Sequence, residues 1–333
     1  MLRLFRLLAL ALPAAVTVPA YALDGVVASI KPVHSLVAAV MEGVGEPALI
    51  VRGAGSEHVH ALRPSDAEAL EKARIVFRVG EGMETFLNAP LGTLAAGARV
   101  VSLEDTPGLV KLAFREGGPF EAHAHDDGEA AHGEHDHDDH DHGHGHDRHH
   151  ADGHDDHDHG DHDLHIWLDP VNAQAMVAAI AQVLGEVDPA NAARYVANAK
   201  SYSARIDALI DEVRATVEPV KARPAIVFHD AYQYFEARFG LNVAGSITVS
   251  PEVLPGAQRL SEIRDKVREL GAVCVFSEPQ FEPKLVSVVT EGSDARTGVL
   301  DPLGAELADG PELYLDLMRN LGRSFADCLS QAG

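Results

Sequence analysis

Residues 25–51 read GVVASIKPVHSLVAAVMEGVGEPALIV. Gly25–Ile30 is a short run rich in Val and Ile that opens on glycine, the composition of a strand. Val33–Glu42 spaces its apolar residues three and four apart, as an amphipathic helix does. Pro47–Val51 returns to a short apolar run bounded by proline. Strand, helix and strand in so little chain make a βαβ unit with parallel strands. The alternation continues through strands at Arg74–Val79 and Arg99–Leu103 and helices at Pro64–Lys72 and Met83–Leu94. Pro64, in Arg63-Pro64-Ser65-Asp66, suits a first helical turn, where its missing N–H costs nothing.

The pattern recurs after residue 222. Pro224–Phe228, Val243–Val249, Ala272–Phe276 and Gly298–Leu300 read as strands. Ala231–Phe239, Gln258–Leu270, Lys284–Glu291 and Glu312–Leu329 read as helices. The linking region, 171–221, holds a long amphipathic segment from about Pro189 to Val217, with Tyr195, Ala199, Tyr202, Ile206, Leu209, Val213 and Val217 on one face. At 1.5 Å per residue this helix would run roughly 43 Å and restrict the relative motion of whatever it joins. The fold class is α/β, with one lobe over residues 23–170 and a second over 222–333.

The chain has 333 residues, enough for two such lobes, and a formal net charge of −24. That acidity argues against nucleic acid or an anionic membrane surface as the principal partner. Residues 1–22 read as an export signal: Arg3 and Arg6, an apolar core over Leu7–Val18, then Ala20-Tyr21-Ala22 as a small-x-small cleavage site. No apolar run of spanning length follows it, so the exported chain is not expected to be an integral membrane protein. The two cysteines, Cys274 and Cys328, suggest one disulfide in an oxidising compartment, two buried free thiols being the alternative.

Of the 20 histidines, most lie between His123 and His162. Residues 121–163 mix these with Asp and Glu and contain no periodic apolar positions, so they are expected to be disordered without metal. Imidazole and carboxylate both ligate divalent first-row metals, and this histidine-rich loop offers many interchangeable but individually weak sites. Five histidines stand apart: His34, His58, His60, His165 and His229. His34, near the start of an amphipathic helix, reads as structural. His58 and His229 each follow a strand, one in each half, where open α/β sheets bind their ligands. Catalysis is not indicated, since neither HExxH nor G-x-S-x-G occurs.

Four motifs in order carry a family resemblance. They are Ser56-Glu57-His58-Val59-His60-Ala61-Leu62-Arg63-Pro64-Ser65-Asp66, His165-Ile166-Trp167-Leu168-Asp169-Pro170, Val227-Phe228-His229-Asp230-Ala231-Tyr232-Gln233-Tyr234-Phe235 and Leu300-Asp301-Pro302-Leu303-Gly304. With the His-rich insertion and the paired cysteines, the chain resembles the ZnuA-type zinc receptors of bacterial ABC importers, within the cluster A-I metal receptors. The resemblance implies two α/β lobes joined by one long rigid helix, with Zn²⁺ as cargo in the interlobe cleft. It carries ligand roles onto His58, His165 and His229, and His229 in place of a carboxylate favours zinc over manganese. Glu57 or water is the expected fourth ligand, Asp301 a weaker alternative, and His60 weaker still. Asp230 and Asp301 are also candidates for orienting the imidazoles. The implied setting is periplasmic and the implied partners are the cognate ABC permease, the zinc ion and an auxiliary periplasmic zinc chaperone, with the receptor monomeric and no nucleic acid involved. A manganese receptor of the same family and a periplasmic zinc store are the alternatives.

Overall fold

The structure is a computed structural model that describes residues 22–115, 120, 162–248, 255–271, 274–281 and 284–330. Residues 1–21 of the expected export signal and 121–161 of the histidine-rich loop lie outside the described residues. Among the described residues, no helix is long and apolar enough to cross a membrane.

The N-terminal sheet contains β1 (Val26–Ala28), β2 (Ala48–Leu49), β3 (Ile75–Arg78) and β4 (Arg99–Ser102), with α1 (Lys31–Val40), α2 (Pro64–Glu71) and α3 (Thr85–Thr93) between them. Its order is β2-β1-β3-β4, and every pairing is parallel. The second sheet repeats the plan, in the order β6-β5-β7-β8 and again all parallel. Its strands are β5 (Ala225–His229), β6 (Val243–Thr248), β7 (Cys274–Ser277) and β8 (Arg296–Val299). The helices α6 (Gln233–Phe239), α7 (Ala257–Leu270), α8 (Lys284–Thr290) and α9 (Leu313–Ser330) complete this lobe. Strand order therefore reverses between β1 and β3 and between β5 and β7, which opens a crevice at the carboxyl ends of each pair.

Burial follows the apolar pattern. Strand β5 is buried along its whole length. Because side chains alternate across a strand, its Val227 joins the main core while Ile226 and Phe228 face a smaller cluster with Ile247, Ile263, Val267 and Val275. Helix α1 is buried at all ten positions, wedged among α4, α5 and α9. Helix α6 ends at Gly240, whose φ of 72° is the left-handed conformation that glycine adopts without a Cβ penalty.

The linking region holds two long helices rather than one. α4 (Pro170–Val187) begins with proline in its first turn, where the Asp169 carboxylate accepts the Val171 N–H at 2.9 Å. It ends at Asp188, and a turn closed by Asn191 Nδ2 donating to Asp188 Oδ2 at 2.6 Å delays α5 to Ala192–Val217. At 26 residues α5 spans about 39 Å. It buries the expected apolar stripe against α4, and it also packs on α1 of the first lobe and α6 and α9 of the second.

Further contacts tie the lobes directly. Lys31, 3% exposed, donates to the carbonyls of Ala305 and Leu307 at 3.2 and 2.7 Å. Trp167 Nε1 donates to the Pro302 carbonyl, and Tyr314 Oη to the Trp167 carbonyl, both at 2.9 Å. In the second lobe Cys274 of β7 and Cys328 of α9 form a disulfide, which closes the free-thiol alternative.

Candidate metal centre

Glu57 and His58 sit on the long loop between β2 and α2. Gly53 turns that loop with φ of 62°. Further along, the Ser56 hydroxyl accepts the His58 N–H at 3.1 Å, a local turn that aims the imidazole. The far end is fixed by fully buried Asp66, which accepts the Arg63 N–H at 2.9 Å and the Arg52 guanidinium at 2.8 Å. His165 precedes a short 3-10 turn, Ile166–Leu168, at the entry to α4. His229 is the last residue of β5, beside the switch point of the second sheet.

These four residues converge. One ligand atom from each of Glu57, His58, His165 and His229 lies within 4.8 Å of every other. Glu57 Oε1 is 3.8 Å from His58 Nε2, 3.9 Å from His165 Nε2 and 4.0 Å from His229 Nε2. The Nε2 atoms of His165 and His229 are 3.3 Å apart. A tetrahedral zinc ion with N–Zn distances of about 2.0–2.1 Å holds its ligand atoms roughly 3.3 Å from one another. The His165–His229 edge already has that length, and the three Glu57 edges would shorten by about half an ångström or a little more to close around such an ion.

The polar bookkeeping points the same way. Glu57 Oε1 and His58 Nε2 are buried and accept or donate no hydrogen bond. Burying a polar atom without a partner is costly, and a cation between them would satisfy both. Glu57 and His229 are each 1% exposed, whereas the His58 side chain is 23% exposed and marks the open side of the cleft.

Two carboxylates orient the rings from behind. His165 Nδ1 lies 2.7 Å from Asp163 Oδ1, and His229 Nδ1 lies 2.8 Å from both oxygens of Glu278. Each contact has Nδ1–H donating to carboxylate, which leaves Nε2 turned into the cluster, the arrangement of a carboxylate–histidine–metal triad. Electrostatics separate His58 from His229. Burial, with the neighbouring imidazoles, holds His58 down to about 3, so it is neutral and ready to ligate at any physiological pH. Burial also pushes His229 down, but the Glu278 carboxylate, together with Glu57 and Asp230, outweighs it and raises His229 to about 9. Burial raises Glu57 above the ordinary carboxylate range.

The other expected residues lie elsewhere. His60 turns to Asp66 Oδ2 at 3.4 Å and packs edge-on to Phe86. Asp301 spends its oxygens on the N–H groups of Leu303, Gly304 and Ala305 at 3.1, 2.9 and 2.6 Å, and so caps a turn rather than facing the imidazoles. Asp230 pairs with Arg115. His34 Nε2 meets the Pro47 carbonyl at 3.0 Å, in keeping with a structural role. The orienting carboxylates are thus Asp163 and Glu278, which sequence reasoning missed. Glu278 directly follows β7 and His229 ends β5, and that shared strand-end position was a usable signal. Asp163 was hidden among the many acids of the histidine-rich loop.

Residues 26–328 match the model of a family described as ZnuA, the periplasmic component A of a zinc-uptake complex. The chain belongs to the ZnuA family. It is 62% identical over 308 residues to the high-affinity zinc uptake system protein ZnuA of Brucella suis, with 92% of each chain covered. Its identity to the protein of the same name from Yersinia pestis is 36% over 304 residues, covering 91% of each. Among solved structures it is similar to a crystal structure of ZnuA, with a TM-score of 0.69, 22% identity, and 91% of this chain and 97% of that one covered. At that identity the structural likeness speaks to the fold, and it agrees with the two parallel sheets and the helices that join them. The family description is that of a component of zinc uptake, a transport role.

Proposed function

We propose that this ZnuA-family chain captures zinc in the periplasm through Glu57, His58, His165 and His229 and delivers it to the permease of an ABC importer. The observation that carries the reading is the convergence of three imidazoles and one carboxylate, drawn from both lobes, with two of their ligand atoms buried and unpartnered. Three nitrogen donors suit zinc, whereas manganese prefers a set richer in oxygen. Glu57 supplies the fourth ligand ahead of water, since its Oε1 lies about equally far from all three imidazole nitrogens.

The export signal over residues 1–22 is removed near Ala22, and the receptor works as a monomer. The loop over 121–163 is an auxiliary collector that raises the local zinc concentration beside the cleft, or senses excess zinc. An auxiliary periplasmic chaperone is a further source of zinc. Support for export and for the loop's role comes from the sequence patterns and from the family's periplasmic description.

A chelator-competition zinc titration of the chain lacking residues 1–22 and 121–161 tests the assignment. One tight equivalent, abolished by His229→Ala, is the expected result. Loss of all tight binding on removing 121–161 would make the histidine-rich loop the binding element and overturn the cleft site.

A further inference from the structure

The chain on either side of the histidine-rich loop is bracketed onto the second lobe. Ala113 and His162 pair as an isolated antiparallel bridge, and the Asp163 N–H donates to the Leu112 carbonyl at 2.9 Å. Both strands of this stem meet one side chain, Tyr234 of α6. Its hydroxyl accepts the Leu112 N–H at 3.1 Å and donates to the Asp163 carbonyl at 2.6 Å. Tyr234 is 1% exposed, so water does not compete for either bond. Asp163 in turn presents Oδ1 to both the N–H and the Nδ1 of His165, at 2.9 and 2.7 Å. A rigid chain therefore runs from Tyr234 Oη through the Asp163 backbone and carboxylate to the His165 ring.

We propose that Tyr234 is a positioning residue of the metal centre, whose hydroxyl locks Asp163 and through it the direction of His165 Nε2. This rests on His165 being a zinc ligand, as proposed above. An imidazole aimed by one carboxylate has the freedom of that carboxylate, and Tyr234 is the side chain that bonds the backbone of both sides of the stem, at Leu112 and at Asp163 itself. Tyr234 connects that stem to α6, which begins four residues after His229, and so places two ligands from distant chain positions on one frame. Tight metal binding depends on such preorganisation, because ligands that must be ordered by the ion weaken its net affinity.

The test is a double-mutant cycle of zinc affinity in the full mature chain, using Tyr234→Phe and Asp163→Asn. Near-UV circular dichroism verifies that each metal-free variant is folded. Loss of an outer-shell partner costs roughly 10–100-fold in affinity, and Tyr234→Phe is expected to cost several-fold, less than Asp163→Asn. Its effect should be smaller when Asp163 is already Asn, since the hydroxyl still holds the residue 163 carbonyl but a neutral amide oxygen aims the ring less firmly than the carboxylate does. A bound Co²⁺ should show a perturbed ligand-field spectrum in Tyr234→Phe, which a change in stability alone would not produce. Gln233→Ala is the control: it removes a different stem contact, the 3.1 Å bond to the Ala113 carbonyl, and should leave zinc affinity unchanged. Equal losses from Tyr234→Phe in both backgrounds, no loss in either, or an equal loss from Gln233→Ala would each overturn the proposal. If His165→Ala retains full affinity, the ligand assignment itself fails, and that result is separate from the cycle.

Discussion

Replacing Glu278 with Gln should change how zinc binding depends on pH more than it changes affinity near neutrality. Both Glu278 oxygens lie 2.8 Å from His229 Nδ1, and both side chains are 1% exposed. With His229 raised to about 9, about one molecule in 100 has the ring neutral at about pH 7. Zinc must displace that proton, so the association constant should climb about tenfold per pH unit from near neutrality toward about pH 9. Gln keeps an oxygen that can accept from Nδ1–H but removes the charge. Burial then dominates His229 and lowers it, and the slope should disappear above neutrality. The two consequences nearly cancel at about pH 7: relief from proton competition is worth up to about 100-fold, while loss of the outer carboxylate costs about 10–100-fold. A single-pH measurement would therefore miss the effect. Chelator-competition titrations from mildly acidic to mildly alkaline pH, corrected for chelator protonation, together with proton release measured calorimetrically in buffers of different ionisation enthalpy, would resolve it. A flat wild-type profile above neutrality, or an unchanged slope in Glu278→Gln, would refute the reasoning.

Other outcomes follow from the same geometry. Because the folded chain raises His229, its contribution to metal-free stability is complete below about pH 6.5 and is lost as pH rises through about 9. Zinc affinity runs the opposite way, so the difference in Tm between zinc-loaded and metal-free protein should widen with rising pH, as differential scanning calorimetry would show. Lys31→Met strips the Ala305 and Leu307 carbonyls of a buried donor, which should cost about 1–3 kcal/mol in denaturant unfolding and speed zinc release in stopped-flow by loosening a tie between the lobes. Replacing both Cys274 and Cys328 with Ala should cost about 4 kcal/mol by loop entropy while leaving zinc affinity unchanged, because the bridge lies away from the imidazole cluster. An affinity change there would mean that the link from α9 to β7 is felt at Glu278, beyond the end of β7, and through it at His229.

The sequence by itself determined the local elements and made a few histidines candidates. Short Val- and Ile-rich runs alternating with 3.6-periodic stretches allow little but parallel βαβ units, and every strand expected from that alternation is present in the structure, with its ends moved by a residue or a few. His58 and His229 were candidates as strand-end histidines outside the acidic loop, and the resemblance to the zinc receptors carried ligand roles onto them and onto His165. Adjacent sequence misled where direction mattered. Asp230 is the neighbour of His229, yet it turns to Arg115, and His60 lies two residues from His58, yet it turns to Asp66. Only the tertiary structure assigned Glu278 to His229, a partner 49 residues away, because β5 and β7 lie side by side across the switch point while their sequences are remote. It likewise decided the charge state of His229. A ring's pKa depends on the burial and carboxylates that packing brings around it, and these opposing effects cannot be weighed until the chain has folded.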